Sequence, residues 1–133
     1  MIQRHFVAAA PPPPKGVKYH HASAAAGWLH VTGQLPTDPA APDAPFPEGI
    51  EAQTAQTFRN LATIVEAAGY SFADTVFARI YLSDFDRDYD GLNRAFYRVF
   101  TDEAAVPSRT TVGVARLGRG ALVEIDLVLH REP

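Results

Sequence analysis

The sequence predicts an α+β domain in which a mixed β-sheet carries two helices packed on one face, in the order β-β-α-β-α-β-β. Three observations lead there. Two segments hold apolar residues at helical spacing, and about five others alternate apolar and polar side chains as strands do. Two helices can cover only one face of such a sheet, so the other face needs a different cover. The length of 133 residues suits one domain with a single core, and 47% hydrophobic with 20% charged residues is an ordinary globular composition.

The elements follow in chain order. Residues 8–14, AAAPPPP, favour extended polyproline geometry and offer no N–H donors across the four prolines, so residues 1–16 are expected to form an N-terminal Pro-rich arm and residues 17–133 the single domain. Residues 22–34, ASAAAGWLHVTGQ, read as a hairpin turning at Gly27. Residues 36–49 hold five prolines and several acidic residues, the composition of a surface loop. Residues 50–68 place Ile50, Thr54, Phe58, Leu61, Ile64, Val65 and Ala68 on one helical face, and Gly69 follows as a stop.

A strand is expected next, with Val76, Ala78, Ile80 and Leu82 alternating with Phe77, Arg79 and Tyr81. Residues 89–100 form a second helix with Leu92, Phe96, Val99 and Phe100 on one side. The stretch VPSRTTVGVARLGRGALVEIDLVLH, residues 106–130, reads as a closing hairpin.

In the last strand Val123, Ile125, Leu127 and Leu129 point one way, while Glu124, Asp126, Val128 and His130 point the other. Burying the first set under the helices turns Glu124 to the uncovered face. Pairing the two strands as a hairpin, with Val112 and Val114 inward, puts Arg109, Thr111 and Gly113 on that same face, with Arg109 roughly 13 Å along the strand from Glu124 at ~3.3 Å per residue. Val128 and some of Phe77, Tyr81 and Trp28 join them there, and an apolar patch of this kind marks an interface, self-association being its simplest cover. Two readings stay open for Arg109 and Glu124: an ion pair at a subunit seam, or a grip on a small molecule lying over Gly113.

Several function classes fall away. A formal net charge of −3 leaves no basic face for a phosphate backbone, so no nucleic-acid partner is expected. No apolar run approaches the ~20 residues of a spanning helix, and the N-terminus lacks the pattern of a signal peptide, so no membrane partner and a cytoplasmic location are expected. With no cysteine there is no thiolate nucleophile and no cysteine-based zinc site. His20 and His21 are adjacent and point apart, and the series Asp84, Asp86, Asp88, Asp90 lacks the glycine and glutamate of a calcium loop, so no metal site is expected. Residues 117–120, LGRG, join strands and suit a turn better than a phosphate loop.

The run VPSRTTVGVARL followed by VEID resembles the closing signature of the RidA/YjgF reactive-intermediate deaminase family, with Glu124 fifteen residues after Arg109. The likeness extends through Tyr19 in KYHHA, the VTGQLP segment with Gly33 and Gln34, the IVEAAG helix end, and Asn93 in GLNRAFYRVF, covering about residues 17–130. The resemblance implies a chorismate-mutase-like subunit assembled as a homotrimer with three intersubunit clefts. It implies Arg109 as anchor for the carboxylate of an enamine or imine such as 2-aminoacrylate or 2-iminopropionate, and Glu124 as the group that positions or activates water. The products would be a 2-oxo acid and ammonia, with no cofactor.

A guanidinium can hold a planar carboxylate bidentately while a carboxylate opposite takes a proton from water, which suits an already electrophilic imine. Tyr19, Gly33, Asn93 and Thr111 are the expected substrate-binding positions; for Tyr19 and Asn93, packing or helix capping is the competing role. The chain departs from the family pattern at Val17-Lys18, at Thr111, and in residues 117–120, which lack the family's proline. A non-catalytic trimer binding small carboxylates or 2-oxo acids, or a family member serving another substrate, are the competing functions.

Overall fold

The structure is a computed structural model that describes residues 1–132. Strands β1 (Gln3–His5), β2 (Ala22–Ala25), β3 (Trp28–Gln34), β4 (Thr75–Leu82), β5 (Ser108–Gly113) and β6 (Val123–His130) form one mixed sheet in the order β1-β2-β3-β6-β4-β5. Helices α1 (Ile50–Ala67) and α2 (Phe85–Val99) pack on one face, as expected.

The β2–β3 hairpin turns on Ala26 and Gly27, at φ 51° and 83°. Two left-handed residues match the twist of the flanking strands. Only glycine fits at the second, where a Cβ would lie 2.5 Å from the carbonyl oxygen of Arg131. Helix α1 ends at Gly69 (φ 87°), with Gly69 and Tyr70 N–H groups returning to Glu66 and Val65 carbonyls. Helix α2 starts four residues earlier than its apolar spacing suggests, because the Asp84 side chain caps it by accepting from Arg87 N–H at 3.3 Å.

Between helices and sheet, Leu61, Ile64, Val65 and Leu92 meet Leu29, Ile80, Leu82, Val123, Ile125, Leu127 and Leu129, all fully buried or nearly so. Phe58 sits at the centre of an edge-on aromatic group, 5.9–6.0 Å from the rings of Phe72, Phe96 and Phe100.

Two expectations need correction. The closing segment is not a hairpin. Strand β5 runs parallel to β4, with Arg109 opposite Ala78, and β6 lies between β3 and β4, with Glu124 opposite Tyr81. Helix α2 connects β4 to β5, and a crossover of that kind produces a parallel neighbour. Parallel partners point to the same side, so Arg109, Thr111 and Gly113 share the helix side with Ala78, Ile80 and Leu82. Val112, expected inward, faces the open side and is 38% exposed. Arg109 and Glu124 therefore stand on opposite faces of one subunit's sheet, not on a common one.

The N-terminal segment, expected as a Pro-rich arm, is tied to the sheet at its start. Gln3–His5 pairs antiparallel with β2, and the chain that follows is fastened by His21. Three residues are too short a strand to show a pattern in sequence. No helix is long and apolar enough to cross a membrane among the described residues.

Candidate functional site

The residues singled out in the sequence gather into two groups. The first lies where β5 meets α2. Arg109 is half-buried, its Nε donates to Thr111 Oγ1 at 2.9 Å, and its Nη2 donates to Asn93 Oδ1. Tyr89, Asn93 and Phe96 fall on one face of α2 by their spacing. The guanidinium carbon lies 4.8 Å from the Phe96 ring centroid and 5.9 Å from that of Tyr89. Ring faces and two side-chain acceptors thus fix the plane of the guanidinium. Among the described residues no carboxylate comes within ion-pair distance of Arg109, and its Nη1 has no hydrogen-bond partner. A braced, half-buried cation with an unused donor edge is suited to an anion.

The second group lies on the open face at the end of β3. The β3–β6 register shifts between Val31 and Gln34, which brings Gly33 against Glu124. A Cβ at Gly33 would stand 2.5 Å from Glu124 Oε2 and 3.2 Å from its Cδ, so glycine makes the room the carboxylate occupies. Thr32 fastens the neighbouring segment: its N–H donates to the His21 carbonyl at 2.9 Å and its hydroxyl to the His20 carbonyl at 2.7 Å. That holds Tyr19 beside Glu124.

Burial raises the pKa of the Glu124 carboxyl above its ordinary value, and the Asp126 carboxylate adds to the rise. Tyr19 is also raised, first by burial and then by the negative charge of Glu124. Tyr19, Gly33 and Glu124 line a cleft of about 680 Å³. Asn93 and Thr111 are not in it; they accompany Arg109 at the other group.

Two further residues shape this cleft, and sequence reasoning assigned neither a part in it. Arg119 stands at φ 56° in the 118–120 turn and reaches the proline-rich loop, donating to the carbonyls of Pro42 at 2.9 Å and Ala44 at 3.0 Å, with its guanidinium carbon 4.5 Å from the Phe46 ring centroid. His21 is wholly buried and fastens the polyproline segment. Contacts between residues so distant in sequence leave no local signal. Among the described residues no group of three or more potential metal ligands is close enough to hold an ion.

Comparison with known proteins gives a consistent result. A family model described as Endoribonuclease L-PSP matches residues 9–130. A RutC family protein of Saccharolobus solfataricus is 35% identical over 103 residues, spanning 77% of this chain and 79% of the relative. The 2-iminobutanoate/2-iminopropanoate deaminase of Salmonella typhimurium is 34% identical over 101 residues, spanning 75% and 77%. The crystal structure of RidA from an Antarctic Psychrobacter superposes with a TM-score of 0.86 at 32% identity, covering 97% of this chain and 99% of that one. The Escherichia coli YjgF structure gives 0.87 at 27% identity, with 98% and 99% covered. Fold, matched length and relatives agree, and the chain belongs to the Endoribonuclease L-PSP family, the family of the RidA and YjgF proteins.

Proposed function

We propose that the protein hydrolyses reactive enamine and imine derivatives of amino acids, such as 2-aminoacrylate and 2-iminopropanoate, to 2-oxo acids and ammonia. The observation that carries this reading is Arg109, a guanidinium held flat by Asn93, Thr111 and Phe96, with no carboxylate of its own chain within ion-pair distance among the described residues. Its free edge is a receptor for a small planar carboxylate.

Since Arg109 and Glu124 lie on opposite faces of one sheet, a complete site needs two copies of the chain. One supplies Arg109, Asn93 and Thr111, the other Glu124, Gly33 and Tyr19. A cyclic trimer repeats that junction three times. The uncovered face, with Trp28 at 42% and Val112 at 38% exposure, supports association.

With the substrate carboxylate on Arg109, the C=N carbon faces the second copy's Glu124. The carboxylate takes a proton from water as the water oxygen bonds to that carbon, and the C=N electron pair moves to nitrogen, which gains a proton. In the resulting carbinolamine the hydroxyl loses its proton, the carbonyl re-forms, and the C–N bond breaks as the nitrogen leaves protonated, as ammonia. Burial raises the pKa of this carboxyl, which makes its ionised form a stronger base toward water. The imine is already electrophilic, so positioning and proton transfer suffice.

The test is to generate 2-iminopropanoate in solution and follow pyruvate release. Acceleration above the spontaneous rate that is lost in Arg109→Ala supports the proposal. No acceleration, together with tight binding of 2-oxobutanoate, would identify a binding protein instead.

A further inference from the structure

The cleft that holds Glu124 is walled by two proline-rich segments. Residues 11–15, Leu35 and the loop carrying Pro42 all line it. In one chain the cleft measures about 680 Å³, before the second copy's Arg109 group closes its open side.

The first wall is fixed at both ends. At its start, Val7 N–H donates to His21 Nδ1 at 3.0 Å, so that nitrogen carries no proton and Nε2 carries one, donated to the Pro11 carbonyl at 2.8 Å. The His21 ring also lies 5.1 Å from Phe6, and its backbone joins His5 on one side and Thr32 on the other. At its far end, Val17 N–H returns to the Pro14 carbonyl at 2.9 Å. Four consecutive prolines between these anchors form a stiff strip with no donors, pre-ordered before any ligand arrives. The same His21 carbonyl that holds Thr32 ties this strip to the position of Gly33. Arg119 holds the Pro42 segment.

We infer that the polyproline strip latched by His21 is the side-chain wall of the Glu124 cleft, and that it selects imino acids bearing an aromatic side chain. The inference rests on the deaminase reading for its reaction and on the strip for its specificity. Polyproline surfaces and aromatic rings are complementary, since flat ring faces pack on the rigid pyrrolidines without ordering a mobile loop. A methyl group, as in 2-iminopropanoate, leaves this wall untouched.

The experiment compares hydrolysis of 2-imino-3-phenylpropanoate and 2-iminopropanoate, each generated in situ. In parallel, calorimetry compares binding of phenylpyruvate and pyruvate, which needs no turnover. The parent protein is expected to favour the aromatic member by about tenfold or more in both measurements, the order given by burying a phenyl ring. Replacing Pro12 and Pro13 together by glycine, at positions that are not buried, is expected to reduce that preference to near parity. His21→Ala is expected to do the same by freeing the Val7 N–H and the Pro11 carbonyl. Equal affinity of the parent for phenylpyruvate and pyruvate, or an unchanged preference in the glycine variant, would overturn the wall. If neither imine is turned over while the binding preference and its loss in the variant persist, the deaminase reading fails and the wall stands.

Discussion

Gly33→Ala perturbs the site while touching little else. The added Cβ would stand 2.5 Å from Glu124 Oε2, about 0.9 Å inside ordinary contact, and 3.2 Å from Cδ. The carboxylate must withdraw by nearly an ångström, and a misplacement of ~1 Å at a reacting group costs on the order of a hundredfold in rate. The backbone has little reason to object. Gly33 is not in the left-handed region, and the displaced atoms end a flexible side chain, so the change in folding stability should be below about 1 kcal/mol. The assay is kcat/KM for 2-iminopropanoate from pyruvate release, with a thermal melt on the same preparation. A drop near a hundredfold with a Tm within a few degrees of the parent is expected. Parent-like kcat/KM would refute the importance of the Glu124 position, and a collapsed Tm would show that Gly33 serves the fold.

Arg109→Lys keeps the charge but loses the planar fork shared with Thr111 and Asn93, and should raise KM more than tenfold with a smaller change in kcat, read from initial rates. Asn93→Ala removes one brace and should shift KM in the same direction by a smaller factor. For Glu124 the sign of the pH effect is set by its raised pKa: ionised Glu124 opposes folding above its native pKa, and that penalty vanishes as pH falls to its ordinary 4.5. Glu124→Gln is therefore expected to melt higher than the parent at neutral pH, the gap closing toward pH 4.5; a gap independent of pH would contradict the assignment. Arg119→Gly retains the backbone freedom its φ of 56° requires but releases the Pro42 and Ala44 carbonyls, and should speed proteolysis within residues 38–46.

The sequence was most legible where one element carries its own pattern. Helical spacing in residues 50–68 and alternation in Val123–His130 located α1 and β6 and turned Glu124 away from the core. Pairing was less legible. Alternation in Ser108–Gly113 says that neighbouring side chains oppose each other but not which neighbour the strand joins, and choosing β6 in place of β4 inverted Arg109, Thr111 and Val112 together. Asn93 and Thr111 were identified through likeness to a family; their convergence on one guanidinium needed the crossover helix. The His21 latch and the Arg119 clamp depend on contacts spanning 10 to 77 positions, which no window of residues displays.

The most direct test of a site divided between subunits is complementation. Arg109→Ala and Glu124→Gln proteins, each inactive alone, are mixed in equal amounts, unfolded and refolded together. If each site takes its arginine from one copy and its glutamate from the next, random assembly restores both at about one quarter of the junctions, half of a half, and activity should return to about that fraction of the parent's. Refolded mixtures that reassemble yet remain inactive would contradict the account, because both groups would then have to act from the same chain.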